Sequence, residues 1–481
     1  MKTSMKRILL LLLSFIFILS AFAGCGKKEE PNEESTVETQ TDTTVLEIPY
    51  ELPLTDFEGA EVTILALDGK IWQFEKYASN SEKINQAIYE RNEILNEKLN
   101  CELTMAYANG PTDFSTKITQ EALTQSGAYD LVFSEKGQKP MAYGYYYNLL
   151  ECPEVALDQP FFAQGYNDVL TINNTLYGAV GYGSINYMER TSAITYNKDM
   201  YESLFEGSIY DYVDNMSWTL ETMKIMAQGA KHDKTGDGMD ANDIYGAAVS
   251  LSGGSALLFS TGAKFMPIGN DGKPTYEFLN QRNVDLFDNI YSLMNEEYVT
   301  YRSSYLDIRD CFAAGNCLFA LNAFSATKMI KQSGTSINFG ILPYPMLDSE
   351  QEEYISTCEG SEDFSILMST KSREKSAILL NAFNYYSYAL VRPAYYDAFL
   401  KLQAAEDADD SRMIDLIMKN VYLDFGYVYN TELGGYCTYA FTMAREHRNE
   451  YSSFYSSAET AVKERLNNLI DAYTNADIVT E

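Results

Sequence analysis

Between Glu61 and Phe133 the apolar residues switch repeatedly between two periods, and this alternation narrows the folds open to the chain. Val62-Thr63-Ile64-Leu65 lies in a run from Glu61 to Leu67 that reads as a strand and stops at the turn Asp68-Gly69-Lys70. From Ser81 onward, Ile84, Ala87, Ile88, Arg91, Leu95 and Leu99 recur at helical spacing with charges between them. Cys101 to Met105 is a second strand, and Phe114, Ile118 and Ala122 mark a second helix. Gly127 to Asp130 turns into a third strand, Leu131-Val132-Phe133. Strands alternating with helices predict an α/β architecture, a parallel sheet covered by helices. Ligands of such sheets sit beyond the carboxyl ends of the strands. That rule places Asp68 to Trp72 and Ser134 to Gln138 on one rim.

The stretch from Leu176 to Tyr201 interrupts this pattern. Gly178, Gly181 and Gly183 follow a short apolar run and allow the backbone to bend or to approach another surface. Thr191 to Tyr196 then reads as a strand. The stretch is either a crossing between two lobes or a bent strand within one.

The chain begins with Lys2, Lys6 and Arg7, followed by an apolar run from Ile8 to Ala23. A membrane-spanning helix needs about 20 apolar residues, so this shorter run reads as a secretory signal. It ends in Phe22-Ala23-Gly24-Cys25, which resembles the lipobox of bacterial lipoproteins, with phenylalanine where leucine is usual. The resemblance implies lipid on Cys25. Gly26 to Asp42 is almost devoid of apolar residues and reads as a flexible tether. The net charge of −32 becomes −35 once the three basic residues of the signal are removed, which argues against a nucleic-acid partner. The seven cysteines form no Cys-x-x-Cys pair, so zinc and thioredoxin-like readings lack support. Cys311 and Cys317 are close in sequence, but both are expected at the borders of a helix, which disfavours a bridge; free thiols are expected. The two histidines, His232 and His447, lie in no recognisable catalytic context.

Further motifs follow in order: Tyr129-Asp130-Leu131-Val132, Leu176-Tyr177-Gly178, Tyr196-Asn197-Lys198-Asp199, Ser217-Trp218-Thr219, Asp243-Ile244-Tyr245-Gly246, Phe312 to Phe319, and Phe339-Gly340-Ile341-Leu342-Pro343. Together they resemble the extracellular solute-binding proteins of ABC importers, in the sugar-binding group known as family 1, from about Phe57 to the C-terminus. The resemblance implies a type II periplasmic-binding-protein-like fold, with two α/β lobes joined by crossing strands. It divides the chain into a signal peptide (1–24), a lipid-anchored linker (25–53), the first part of lobe 1 (54–180), a hinge crossing (181–191) and lobe 2 (192–340). The return crossing with the second part of lobe 1 (341–390) and C-terminal helices (391–481) complete it.

By the same resemblance the ligand cleft draws on Asp68, Lys70 and Trp72 after the first strand and on Glu135 and Lys136 after the third. Tyr182 and Asn186 come from the crossing, Asn322 and Phe324 from the Phe319 strand, and Glu359 with Glu362 from beyond the return. A sugar site needs aromatic faces and groups for hydroxyls, and these residues offer both. The implied function is capture of a carbohydrate, an oligosaccharide among them, and its delivery to ABC permease subunits. The protein would be a monomer without catalysis, tethered by lipid outside the cytoplasmic membrane. A surface sensor docking to a receptor and an exported glycan-active enzyme are the alternatives.

Asp233 to Asp243 forms a separate acidic loop. Asp233, Thr235 and Asp237 alternate as calcium ligands do, Gly238 sits at the sixth position, and the Met239 carbonyl would be the seventh. Asp243 falls one residue short of the usual bidentate acid. The loop is either a structural calcium site or a solvated acidic turn, and no cofactor is otherwise required.

Overall fold

The computed structural model describes residues 49–75, 82–135, 144–400 and 408–474. The signal segment, Cys25, Ser81 and Lys136 lie outside them, as does the linker up to residue 48. The last residues assigned to the linker are packed: Tyr50 lies 5.5 Å from the Phe161 ring, and Asn381 donates to its hydroxyl (3.2 Å).

Nine strands stand among the described residues: β1 (Ala60–Leu67), β2 (Cys101–Ala108), β3 (Leu131–Glu135), β4 (Ser192–Asn197), β5 (Tyr245–Val249), β6 (Val299–Tyr301), β7 (Cys317–Ala323), β8 (Phe339–Leu342) and β9 (Glu362–Ser365). They form two sheets, β2-β1-β3-β9 and β6-β5-β7-β4-β8. In the first, β1 pairs parallel with β2 and β3, and β9 runs antiparallel to β3. In the second, β5 pairs parallel with β6 and β7, and β4 runs antiparallel to β7 and β8. Each sheet thus has a parallel part built locally and an antiparallel strand that follows a crossing from the other lobe.

Lobe 1 follows the alternation read from the sequence. Helices α1 (Lys83–Leu99) and α2 (Gly110–Thr124) link its parallel strands. Ile64 and Ala66 share one apolar cluster with Ile88, Leu95 and Leu99 of α1, and Leu65 and Leu67 share another with Phe114 and Ile118 of α2. Period-two alternation along β1 therefore feeds both helical layers. Arg91, read as part of the periodic face, is fully buried; its guanidinium lies 4.1 Å from the Phe383 ring centroid and donates to the Gln73 carbonyl (3.1 Å). Burial pushes it down to about 9.

Lobe 2 carries α3 (Leu220–Ala230), α4 (Leu251–Ser260), α5 (Gln281–Met294), α6 (Tyr305–Ala313) and α7 (Phe324–Gln332). Thr219 caps α3 by accepting from the Thr222 N–H (3.3 Å), and Trp218 before it is fully buried, donating to the Pro343 carbonyl (2.9 Å). After β9 the chain returns to lobe 1 as α8 (Arg373–Tyr386). This helix continues through a π-turn, Ser387–Val391, into helical Arg392–Leu400. The boundary expected at 390/391 therefore falls inside one continuous helical run. Further along stand α9 (Ala408–Lys419), a short helical turn at Phe425–Val428, α10 (Tyr436–Arg445) and α11 (Tyr451–Thr474). Tyr451 at the start of α11 stacks on Phe287 of lobe 2 (4.7 Å), and Tyr473 near its end stacks on Tyr177 (5.5 Å).

Candidate functional site

Two chain segments pass side by side between the lobes. The Ser192 N–H donates to the Thr357 carbonyl (2.7 Å) and the Glu359 N–H to the Arg190 carbonyl (3.1 Å). Beside them Asn420–Tyr422 pairs with Ser356 through bonds of 3.0 and 2.8 Å. Upstream, the three glycines have no positive φ. Their role is close approach: a Cβ on Gly178 would lie 2.0 Å from Asp363 Oδ1, on Gly181 2.3 Å from Asn384 Oδ1, and on Gly183 2.7 Å from the Phe364 ring.

A polar cluster fastens this junction to the ends of β1 and β3. Lys70 stands between two carboxylates, 2.9 Å from Glu135 and 2.5 Å from Glu362. Arg190 reaches the same oxygen of Glu135 (3.1 Å). Glu362 is fully buried and accepts from Ser184 (2.6 Å), Asn186 (2.8 Å) and Gln73 (3.3 Å). Burial alone would push its carboxyl up; Lys70 and the hydroxyl and amide donors outweigh that and hold it below the usual range. The Gln73 side-chain carbonyl in turn accepts from the Ile185 N–H (2.7 Å).

Beyond this cluster opens a cavity of about 450 Å³. Lobe 1 contributes Glu135 and Tyr166, and the return crossing contributes Glu359, Gly360 and Ser361. The segment before and into α10 contributes Tyr427, Asn430, Thr431, Glu432 and Thr438. Glu359 is anchored from lobe 2, accepting from the Tyr305 hydroxyl at the start of α6 and from Ser252 in α4. Burial raises its pKa. The described lining therefore offers three carboxylates, an amide, hydroxyls and two tyrosine rings, with Arg190 standing behind Glu135.

Of the expected cleft residues, Glu135 and Glu359 line this cavity, Lys70, Asn186 and Glu362 belong to the cluster behind it, and Lys136 lies outside the described residues. Five lie elsewhere. Asp68 is exposed, and its side chain accepts from the Gly69 N–H (2.7 Å). Trp72 is half-buried against the apolar cluster of lobe 1. Tyr182 is buried edge-on to Tyr187 (5.4 Å) and Tyr388 (4.8 Å). Phe324 is buried, because the end of β7 turns directly into α7 and carries the ring inward. Asn322 is buried, with its oxygen on the Ala323 N–H (3.0 Å) and its Nδ2 without a partner. The residues that sequence reasoning missed, Tyr166 and Tyr427 to Thr438, carry only one signal: tyrosines and amides set among turn residues.

The acidic loop closes on itself. The Asp233 carboxylate accepts from the N–H groups of Thr235 (3.1 Å), Gly236 (2.6 Å) and Gly238 (2.9 Å). Asp243 is buried and accepts from the N–H groups of Lys234 (2.9 Å) and Asp240 (2.7 Å), while Thr235 bonds Asp237. No three acidic, histidine or cysteine side chains gather as a metal cage among the described residues. The Asp233 and Asp243 carboxylates thus serve backbone donors within the loop, and calcium remains an expectation for it.

No protein-family model matches the chain, and no curated protein matches it. Solved structures share its fold. It is similar to a cyclo/maltodextrin-binding protein complexed with maltotetraose, at TM-score 0.50 and 12% identity over 88% of this chain and 98% of that one. It is similar to the maltose/maltodextrin-binding domain MalE from Bdellovibrio bacteriovorus bound to maltotriose, at TM-score 0.51 and 12% identity over 85% and 100%. UspC from M. tuberculosis aligns at TM-score 0.54 and 14% identity over 82% and 99%. The chain has the two-lobed, type II periplasmic-binding-protein-like fold of these structures.

Proposed function

We propose that the protein captures a carbohydrate in the cavity between its lobes and delivers it to the permease of an ABC importer. The observation that carries this reading is the position of the cavity. It opens where the chain crosses between lobes, and its walls are anchored separately to lobe 1 through Lys70–Glu135 and to lobe 2 through Glu359–Tyr305. A ligand touching both walls would bias the lobes towards closure. Tyr166 and Tyr427 supply apolar faces, and the carboxylates, Asn430 and the hydroxyls supply partners for sugar hydroxyl groups. The similar solved structures bound to maltotetraose and maltotriose support the carbohydrate assignment. Three carboxylates in the lining favour neutral glycans over uronic or sulfated ones. We further propose a monomer tethered through lipid on Cys25 at the outer face of the cytoplasmic membrane, with no catalytic step. No helix among the described residues is long and apolar enough to cross a membrane.

The test is a thermal-shift screen of residues 26–481 against neutral and acidic mono- and oligosaccharides. A neutral glycan at about a hundred times its dissociation constant stabilises the folded state by about 2.7 kcal/mol. Glu359→Gln and Tyr427→Ala should each reduce that shift. A shift from acidic glycans alone would reverse the ligand class, and hydrolysis of the bound glycan would remove the binding-only reading. Response to the glycan through a receptor, without uptake, would make the protein a sensor.

A further inference from the structure

Far along the chain from the residues of the cleft, the turn between α6 and β7 brings two thiols together. Gly315 adopts φ +72°, its N–H bonds the Phe312 carbonyl (2.8 Å), and the Asn316 N–H bonds the Cys311 carbonyl (3.0 Å). This paired closure folds a chain back over the last helical turn. Cys317, the next residue and the first of β7, therefore returns onto Cys311. Both are buried in one apolar cluster with Tyr245, Ile308 and Phe312, and each thiol is the other's main titratable neighbour. Arg302, just after β6, approaches from the other side. It lies 5.9 Å from the Tyr245 ring centroid, and its positive charge favours the Cys311 thiolate.

We propose that Cys311 and Cys317 form a reversible oxidation site, a dithiol that a peroxide closes to a disulfide. The Cys311 thiolate attacks one peroxide oxygen and the O–O bond breaks, giving a sulfenic acid and hydroxide. The Cys317 sulfur then displaces the hydroxyl group from Cys311; the S–S bond forms, and the Cys317 proton leaves with the hydroxyl as water. Counting the proton first lost by Cys311, two thiols and one peroxide give one disulfide and two waters. The roles are unequal. Cys317 beside it, helped by Arg302 and Lys234, lowers the Cys311 thiol against the opposing effect of burial. Its neighbour Cys311 and burial push Cys317 up. Burial also pushes up the thiols of Cys101, Cys152, Cys358 and Cys437, so Cys311 alone among the described cysteines is poised to attack. The bridge would join the end of α6 to the first residue of β7.

The experiment treats the folded, reduced chain with hydrogen peroxide, alkylates the remaining thiols in denaturant and maps the peptides by mass. The expected product is a Cys311–Cys317 linked peptide that dithiothreitol reverses, with the other cysteines alkylated. Its rate of formation should rise less steeply from pH 6 to pH 8 than the roughly hundredfold expected of an unshifted thiol. Cys317→Ser, which keeps a polar hydrogen beside Cys311, should leave a sulfenic acid on Cys311 that dimedone captures. If that variant fails to fold, the wild-type peptide map decides by itself. Full alkylation of both residues after peroxide, or a bridge elsewhere, would overturn the proposal.

Discussion

Lys70 is shared by two carboxylates, so removing one of them leaves a buried charge arrangement unbalanced. Glu362→Gln should cost about 3 kcal/mol in denaturant unfolding, because Lys70 and the donors Ser184, Asn186 and Gln73 lose an ionised acceptor. Glu362 is held below its ordinary value of 4.5, so its stabilisation is present above that value and lost as the pH falls through the folded one. Asp424 behaves oppositely. Its buried carboxylate accepts from the N–H groups of Met266 (2.9 Å) and Gly426 (2.8 Å), and burial pushes it up to about 6 from 3.8. The folded protein takes up this proton before the unfolded chain does. Acidification from pH 7 to pH 5 should therefore stabilise the wild type relative to Asp424→Asn, as unfolding curves at the two pH values would read. Residue by residue, the strand-end rule pointed to Glu135 and the family resemblance to Glu359, and both stand in the cavity wall. Tyr427 and Asn430 reach the cavity from a segment far along the chain and carry no periodic signal. Phe324 and Trp72 pack against the apolar cluster of lobe 1, because an aromatic beside a turn is equally at home under a helix.

The strands of lobe 1 were legible as elements because each apolar run faces two helical layers and is punctuated by turn residues. Their antiparallel neighbour β9 was not, since Glu362-Asp363-Phe364-Ser365 is polar in composition and is buried only by its partners. The glycines of the crossing were visible, but their purpose depends on what lies opposite. Gly178→Ala and Gly181→Ala should each destabilise the protein by about 2 kcal/mol, because the added Cβ meets Asp363 or Asn384. Gly69→Ala, with nothing within 4 Å of its Cβ and no positive φ, should be close to neutral in the same assay. The acidic loop had the spacing of a calcium element, but spacing does not show which donors its oxygens already satisfy. A rise in melting temperature with millimolar calcium would show that the loop reorganises around the ion; an unchanged one would leave it a solvated acidic turn.

For the molecule as a whole, the two-lobed plan was legible from the order of the motifs, and the packing of the C-terminal helices was not. Amphipathic periodicity shows that α11 buries one face, but not that it contacts lobe 2 at Tyr451 and Tyr177 at Tyr473. The sheet topology also has a consequence for synthesis. Lobe 2 draws all five strands of its sheet from one continuous stretch, Ser192 to Leu342. Lobe 1 begins first on the growing chain, yet its sheet lacks an edge strand until Ser365 has been made. Between Glu135 and that residue, translation takes on the order of tens of seconds. Throughout that interval β3 has one side without its strand partner, and the later lobe can complete its sheet before the earlier one. A helper that shields exposed strand edges would therefore act on the N-terminal half of the nascent chain.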